Sequence, residues 1–181
     1  MNPQHANTEQ EYQNIRSQVS KDANSIINER GSSLVDFRNI DSLALAKAEI
    51  WEQSIERHDD ASWSWTKGFR SYAFRHLKGL DLAIWFAKTQ LCGLSIGKPS
   101  NNGSKMTLDI IEAAPTSHPL KRQIVKLSIG VFETYADRIG AKQLRIMRPV
   151  NKDVISYHEL YGFTAVKGSG KNFSDYLWRN L

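Results

Sequence analysis

The alternation and re-spacing of apolar residues along this chain predict an ordered run of helices and strands. Tyr12, Ile15, Val19, Ala23, Ile26 and Ile27 recur at helical spacing before Gly31, which predicts an N-terminal helix after a polar, disordered start over residues 1–10. Residues 34–40 alternate as a first strand, and Asp41 or Ser42 then caps a helix through about residue 58. A second helix over 63–77 carries Trp65, Phe69, Tyr72 and His76 on one side, with Lys67, Arg70, Arg75 and Lys78 around it. Leu80, Leu82, Ile84 and Phe86 alternate in a strand that a turn at 88–90 reverses into the apolar run 91–96. Asn101, Asn102 and Gly103 reverse the chain again into a strand at Met106, so three consecutive strands are antiparallel neighbours.

Beyond Met106 the pattern is more specific. A strand runs to Glu112, and Pro115 and Pro119 bracket a loop that extends neither neighbour. Two stripes follow side by side, Ile124, Leu127, Val131, Tyr135 and Val125, Ile129, Phe132, Ala136, Ile139, which predicts a long and mostly buried helix closed by Gly140. Residues 143–147 alternate as a strand. Asn151 is placed to cap a short helix that Gly162 stops before a strand at 163–166, and a last strand covers 175–179. A strand, helix and strand with this crossover length suggest a parallel or mixed sheet. The fold class is therefore α+β on a mixed sheet.

Length and composition narrow the function. One domain of ordinary size suffices, with residues 1–32 as a polar extension and 33–181 as the folded unit. The N-terminal helix either docks on its own domain or pairs with a second subunit, so a homodimer stays open. The single cysteine, Cys92, sits in an apolar run and reads as a buried, inert thiol. No signal peptide or transmembrane stretch is visible, and a cytoplasmic protein with no membrane partner is expected. The net charge of +5 is spread over scattered bases, which argues against a nucleic-acid partner while suiting an acidic ligand. His5, His58, His76, His118 and His158 lack metal-ligand spacing, so no metal is expected. The Gly-x-Ser-x-Gly turn of a serine hydrolase is missing. Lys167 to Lys171 imitates a phosphate loop without its spacing and reads as a hairpin turn.

The whole order, with the run from Asn151 through Tyr157, His158 and Tyr161 to Gly162 and Phe163, resembles the GCN5-related N-acetyltransferase (GNAT) superfamily over roughly residues 33–181. The resemblance implies an acyl-CoA N-acyltransferase fold whose mostly antiparallel sheet, flanked by helices, splays between its fourth and fifth strands. It also implies transfer of an acetyl group from acetyl-coenzyme A to a primary amine by direct attack. The acceptor, a small molecule or a protein, is left open.

The resemblance also implies a cofactor site. Main-chain groups at Ile111, Glu112 and Ala113 would hold pantetheine and the acetyl oxygen. The start of the long helix, Lys121, Arg122, Gln123, Ile124 and Val125, would seat the pyrophosphate. The family's glycine signature is missing there, and Lys121 and Arg122 offer side-chain charge instead. Asn151 matches a cofactor-contacting asparagine, with helix capping as the alternative. Glu112 shares strand parity with Met106, Leu108 and Ile110, faces an apolar side unless a bulge intervenes, and is a candidate general base. The family's tyrosine acid falls on His158, with Tyr157 one place away as its substitute. The alternative packs Tyr157 in the core and leaves His158 in solvent. A non-catalytic module that kept the fold is the competing function.

Overall fold

The protein is described here from a computed structural model covering residues 3–149, 152–168 and 175–181. Its elements are α1 (Pro3–Glu29), β1 (Val35–Arg38), α2 (Ser42–Glu52), α3 (Trp65–Arg75), β2 (Leu80–Phe86), β3 (Gln90–Pro99), β4 (Lys105–Ala113), α4 (Ile124–Arg138), β5 (Gln143–Met147), α5 (Lys152–Glu159), β6 (Thr164–Val166) and β7 (Tyr176–Asn180). The strands form one sheet in the order β1-β2-β3-β4-β5-β7-β6. Every neighbouring pair is antiparallel except β4 and β5, which run parallel with α4 as the crossover.

Local chemistry sets the element ends. The Asp41 carboxylate accepts from the Ala44 N–H at 2.8 Å, and the Ser64 hydroxyl accepts from the Lys67 N–H at 3.2 Å, so both helices start at a side-chain cap. α2 stops at Glu52, short of the expected residue 58. The cause is Glu52 itself, whose carboxylate accepts from the Thr66 N–H and from the Ser64 and Thr66 hydroxyls, folding the chain back toward α3. Gly140 and Gly162 take positive φ, +74° and +78°, where α4 and α5 end.

Two layers of helix sandwich the sheet. On one face Ile40, Ala44, Ala48 and Trp51 meet Trp65, Phe69 and Tyr72 over Trp85, Leu94 and Ile96. On the other, α1 and α4 cover Leu82, Ile84, Met106, Leu108 and Leu144. Close approach of α4 to β3 depends on small residues at alternate strand positions. A Cβ at Gly93 would meet Ile124 Cγ2 at 2.5 Å, and one at Gly97 would meet Phe132 at 2.5 Å. Between them Ser95 and Ser128 hydroxyls bond at 2.7 Å. The stripe Ile124, Ser128, Phe132 therefore lies along Gly93, Ser95, Gly97. Cys92 is fully buried, and loss of water pushes its thiol up to about 11.

α1 docks on its own chain, and it begins at Pro3 where disorder was expected through residue 10. Val19 and Ala23 are buried in the α4-side core. Arg16 donates to the carbonyls of Leu77 and Gly79, each at 3.0 Å, and Arg138 of α4 pairs with Asp22. The Asn24 amide accepts from the Phe37 N–H at 2.8 Å and donates to the Phe37 carbonyl at 3.0 Å, meeting both outward-facing main-chain groups of Phe37 in edge strand β1. No helix among the described residues is long and apolar enough to cross a membrane.

Candidate active site

Strands β4 and β5 pair from Lys105–Gln143 to Leu108–Ile146 and then part. Among the described residues β4 continues to Ala113 against β3 alone. The Ala114 N–H bonds the Cys92 carbonyl at 2.9 Å, so strand alternation points Glu112 and Ile110 toward β3. The same alternation turns the N–H and C=O groups of Ile111 and Ala113 toward the side that β5 has left. This free edge offers donors and acceptors at strand spacing to an extended ligand.

At the same end of β4 the loop through Pro115 and Pro119 leads into α4. Gln123 occupies its N-cap position without a side-chain hydrogen bond. The first-turn N–H groups have no intrahelical partner, and the helix dipole favours an anion there. Arg122 takes φ +67°, a conformation that glycine ordinarily supplies. Lys121, Arg122 and Gln123 are exposed at this turn, whereas the Ile124 side chain is buried against Gly93. The Tyr157 hydroxyl donates to the Arg122 carbonyl at 3.4 Å and lies 3.1 Å from the Tyr161 hydroxyl, which brings α5 to the start of α4.

No family model matches the chain, and no curated protein does. Solved structures do. A mutant spermidine N-acetyltransferase SpeG from Vibrio cholerae superposes with a TM-score of 0.60 at 12% identity, over 82% of this chain and 94% of that one. An acetyltransferase of the GNAT family from Staphylococcus aureus gives 0.58 at 13% identity, over 81% and 99%. The Campylobacter jejuni N-acetyltransferase PseH gives 0.55 at 10%, over 81% and 98%. The fold is that of the GNAT acetyltransferases. Such neighbours extend across most of the chain, while identities this low speak to the fold alone.

Within the GNAT fold the expected site residues separate. Ile111 and Ala113 lie on β4 past its last pairing with β5, and Lys121 to Val125 lead into α4, whose Ile124 packs on Gly93, the partner of Ala113. Asn151 lies outside the described residues. Glu112 departs from its expected surroundings because Asp109 is an extra residue in β4, with Leu108 opposite Gly97 and Ile110 opposite Ile96. Met106, Leu108 and Ile111 face α4, whereas Ile110 and Glu112 face α2 and α3. The Glu112 carboxylate is held there by Arg57 Nε at 2.8 Å, Arg57 Nη2 at 2.9 Å and Trp65 Nε1 at 2.7 Å. A carboxylate gripped by three donors is a structural tie rather than a free base.

His158 and Tyr157 also exchange the places considered for them. His158 is 2% exposed, packed against the rings of Tyr157 and Phe163, with Nδ1 lacking a partner. Loss of water lowers its pKa to about 4, so no imidazolium is held near neutral pH. Tyr157 is the half-buried residue, and its phenol is raised to about 12, by burial first and then by Tyr161, so the proton stays on oxygen. Sequence reasoning missed Arg57, whose second Nη2 bond reaches the Trp63 carbonyl at 2.5 Å and ties the α2–α3 connection to β4. It also missed the bulge at Asp109, since one extra residue leaves no mark on the apolar pattern. A cleft of about 360 Å³ beside this tie is lined by Arg57, His58, Asp60, Ile111, Ala113 and Pro115 among others.

Proposed function

We propose that this protein is a cytoplasmic N-acetyltransferase that moves an acetyl group from acetyl-coenzyme A to a primary amine by direct attack. The observation that carries the reading is the parting of β4 from β5 after Leu108, at the end of the sheet where α4 begins without a side-chain cap. The residues present fit an extended thioester with a phosphate at one end. Ile111 and Ala113 offer main-chain groups to a pantetheine amide, and the first turn of α4 offers N–H groups to a phosphate, with Lys121 and Arg122 adding charge. Acetyl-coenzyme A supplies the activated acyl group. Tyr157 donates a hydrogen bond to charge developing on the departing sulfur. The amine approaches from the α2–α3 side, where Trp63 and Trp65 lie near the connection that Arg57 holds.

A binding module that kept this fold is the second reading, favoured by Arg122 standing in a glycine conformation at the phosphate turn. Calorimetric titration with acetyl-coenzyme A separates the two. Saturable micromolar binding, followed by amine-dependent release of free thiol across an amine panel, supports the enzyme. Absence of binding heat supports the second reading and removes the first.

A further inference from the structure

Gly130 stands in the middle of α4 without the close approach that explains Gly93 and Gly97. A Cβ at either of those would strike a neighbour, whereas one at Gly130 would stand in open space. A glycine inside a helix lowers stability relative to alanine, so nothing in the folded chain itself accounts for the bare position. Gly130 lies two residues past Ser128, on the side of α4 turned away from β3, and it is exposed. A groove of about 420 Å³ crosses that outer side, between the end of α1 and the pair Tyr161 and Arg179. Ile26, Ile27 and Leu127 give it apolar walls, and Ile26 is 43% exposed. The Thr134 hydroxyl donates to the Gly130 carbonyl at 3.0 Å, so that group is turned back on its own helix.

Charge differs between the two ends of the groove. α1 and α4 run antiparallel, with Asp22 meeting Arg138 and the turn at Arg30 sharing the groove with Lys126. On the far side Arg179 is matched by Glu133. Among the described residues neither Arg30 nor Lys126 has a side-chain hydrogen bond or ion pair, and both are exposed. One end therefore carries uncompensated positive charge beside apolar walls. We propose that this groove binds a free medium-chain carboxylate, with its hydrocarbon across Gly130 and its carboxylate at Arg30 and Lys126. The volume suits a small ligand, and a side chain at position 130 would fill the space that the hydrocarbon needs. The main-chain groups of the β4 edge and the N–H groups that open α4 take no part, so the site stands apart from the acetyl-transfer reading.

Decanoate titrated calorimetrically into the full chain near neutral pH is expected to give saturable one-site binding, with the same Kd when acetyl-coenzyme A is present in excess. Gly130→Leu fills the groove while favouring the helix, so it should weaken decanoate binding at least about tenfold with Tm kept or raised. Arg30→Gln combined with Lys126→Gln leaves the walls intact and should weaken binding about three- to tenfold. Decyltrimethylammonium, of like length and opposite charge, should bind more weakly than decanoate. Absence of saturable heat with decanoate overturns the proposal, as does unchanged affinity in Gly130→Leu or in the double variant, or equal binding of the cation. Displacement of decanoate by acetyl-coenzyme A overturns it by giving the groove to the coenzyme. A wild-type dimer that Gly130→Leu dissociates overturns it by giving the groove to a second copy.

Discussion

At the scale of single residues, Tyr157 and His158 show how one step along a helix separates two fates. Neighbours on a helix point about 100° apart, so one meets the core while the other meets the loop before α4. The stripe through α5 announced a helix but not which of the two would face inward, because both are amphipathic rings. Tyr157→Phe is expected to lower kcat about 10- to 100-fold while leaving the acetyl-coenzyme A Kd within about twofold, read by thiol release and calorimetry. His158 leads to a stability prediction. Its folded-state pKa of about 4 lies below the ordinary histidine value of 6.5. Between those values the unfolded chain binds a proton that the folded one refuses, so stability is lost as pH falls from 6.5 toward 4. His158→Phe should flatten the fall of Tm over that window. An unchanged slope would remove His158 from the account.

Elements matter here chiefly through where they stop. α2 ends at Glu52 because that side chain turns to α3, and the freed connection is then fastened by Arg57 to the far end of β4. The substitution Arg57→Ala leaves the Glu112 carboxylate partly buried with only Trp65 and is expected to cost about 3 kcal/mol by chemical denaturation. Arg57→Lys restores little, since a lysine cannot present the paired donors. A second element-level dependence is the seating of α4. Gly93→Ala sets a methyl 2.5 Å from Ile124 Cγ2 and must push the first turn of the helix outward. Its expected signature is a KM for acetyl-coenzyme A raised about tenfold, read by thiol release.

For the molecule as a whole, the order of strands and helices was legible because alternation, helical stripes and glycine stops agreed at nearly every boundary. Gly140 and Gly162, foreseen as helix ends, both take the left-handed conformation. The mixed sheet with its parallel β4–β5 pair was legible from the length of the crossover. Less of the site was readable. Which β4 side chains face α2 and α3 depends on a single extra residue at Asp109, which changes register without changing composition. The turn before α4 holds Arg122 in a conformation usual for glycine, so its shape is dictated by the surrounding loop rather than announced by residue type. The side on which α1 docks followed from Arg16, Asp22 and Asn24, polar residues whose partners lie far along the chain.

The Asn24 contact has a further effect on how this protein meets its neighbours. One rim of the sheet is occupied by an amide that imitates a missing strand, and the opposite rim, β6, is three residues long. Cross-chain zippering along β1 is thereby discouraged. Loss of that one amide would leave the Phe37 N–H and C=O open to a strand from another molecule.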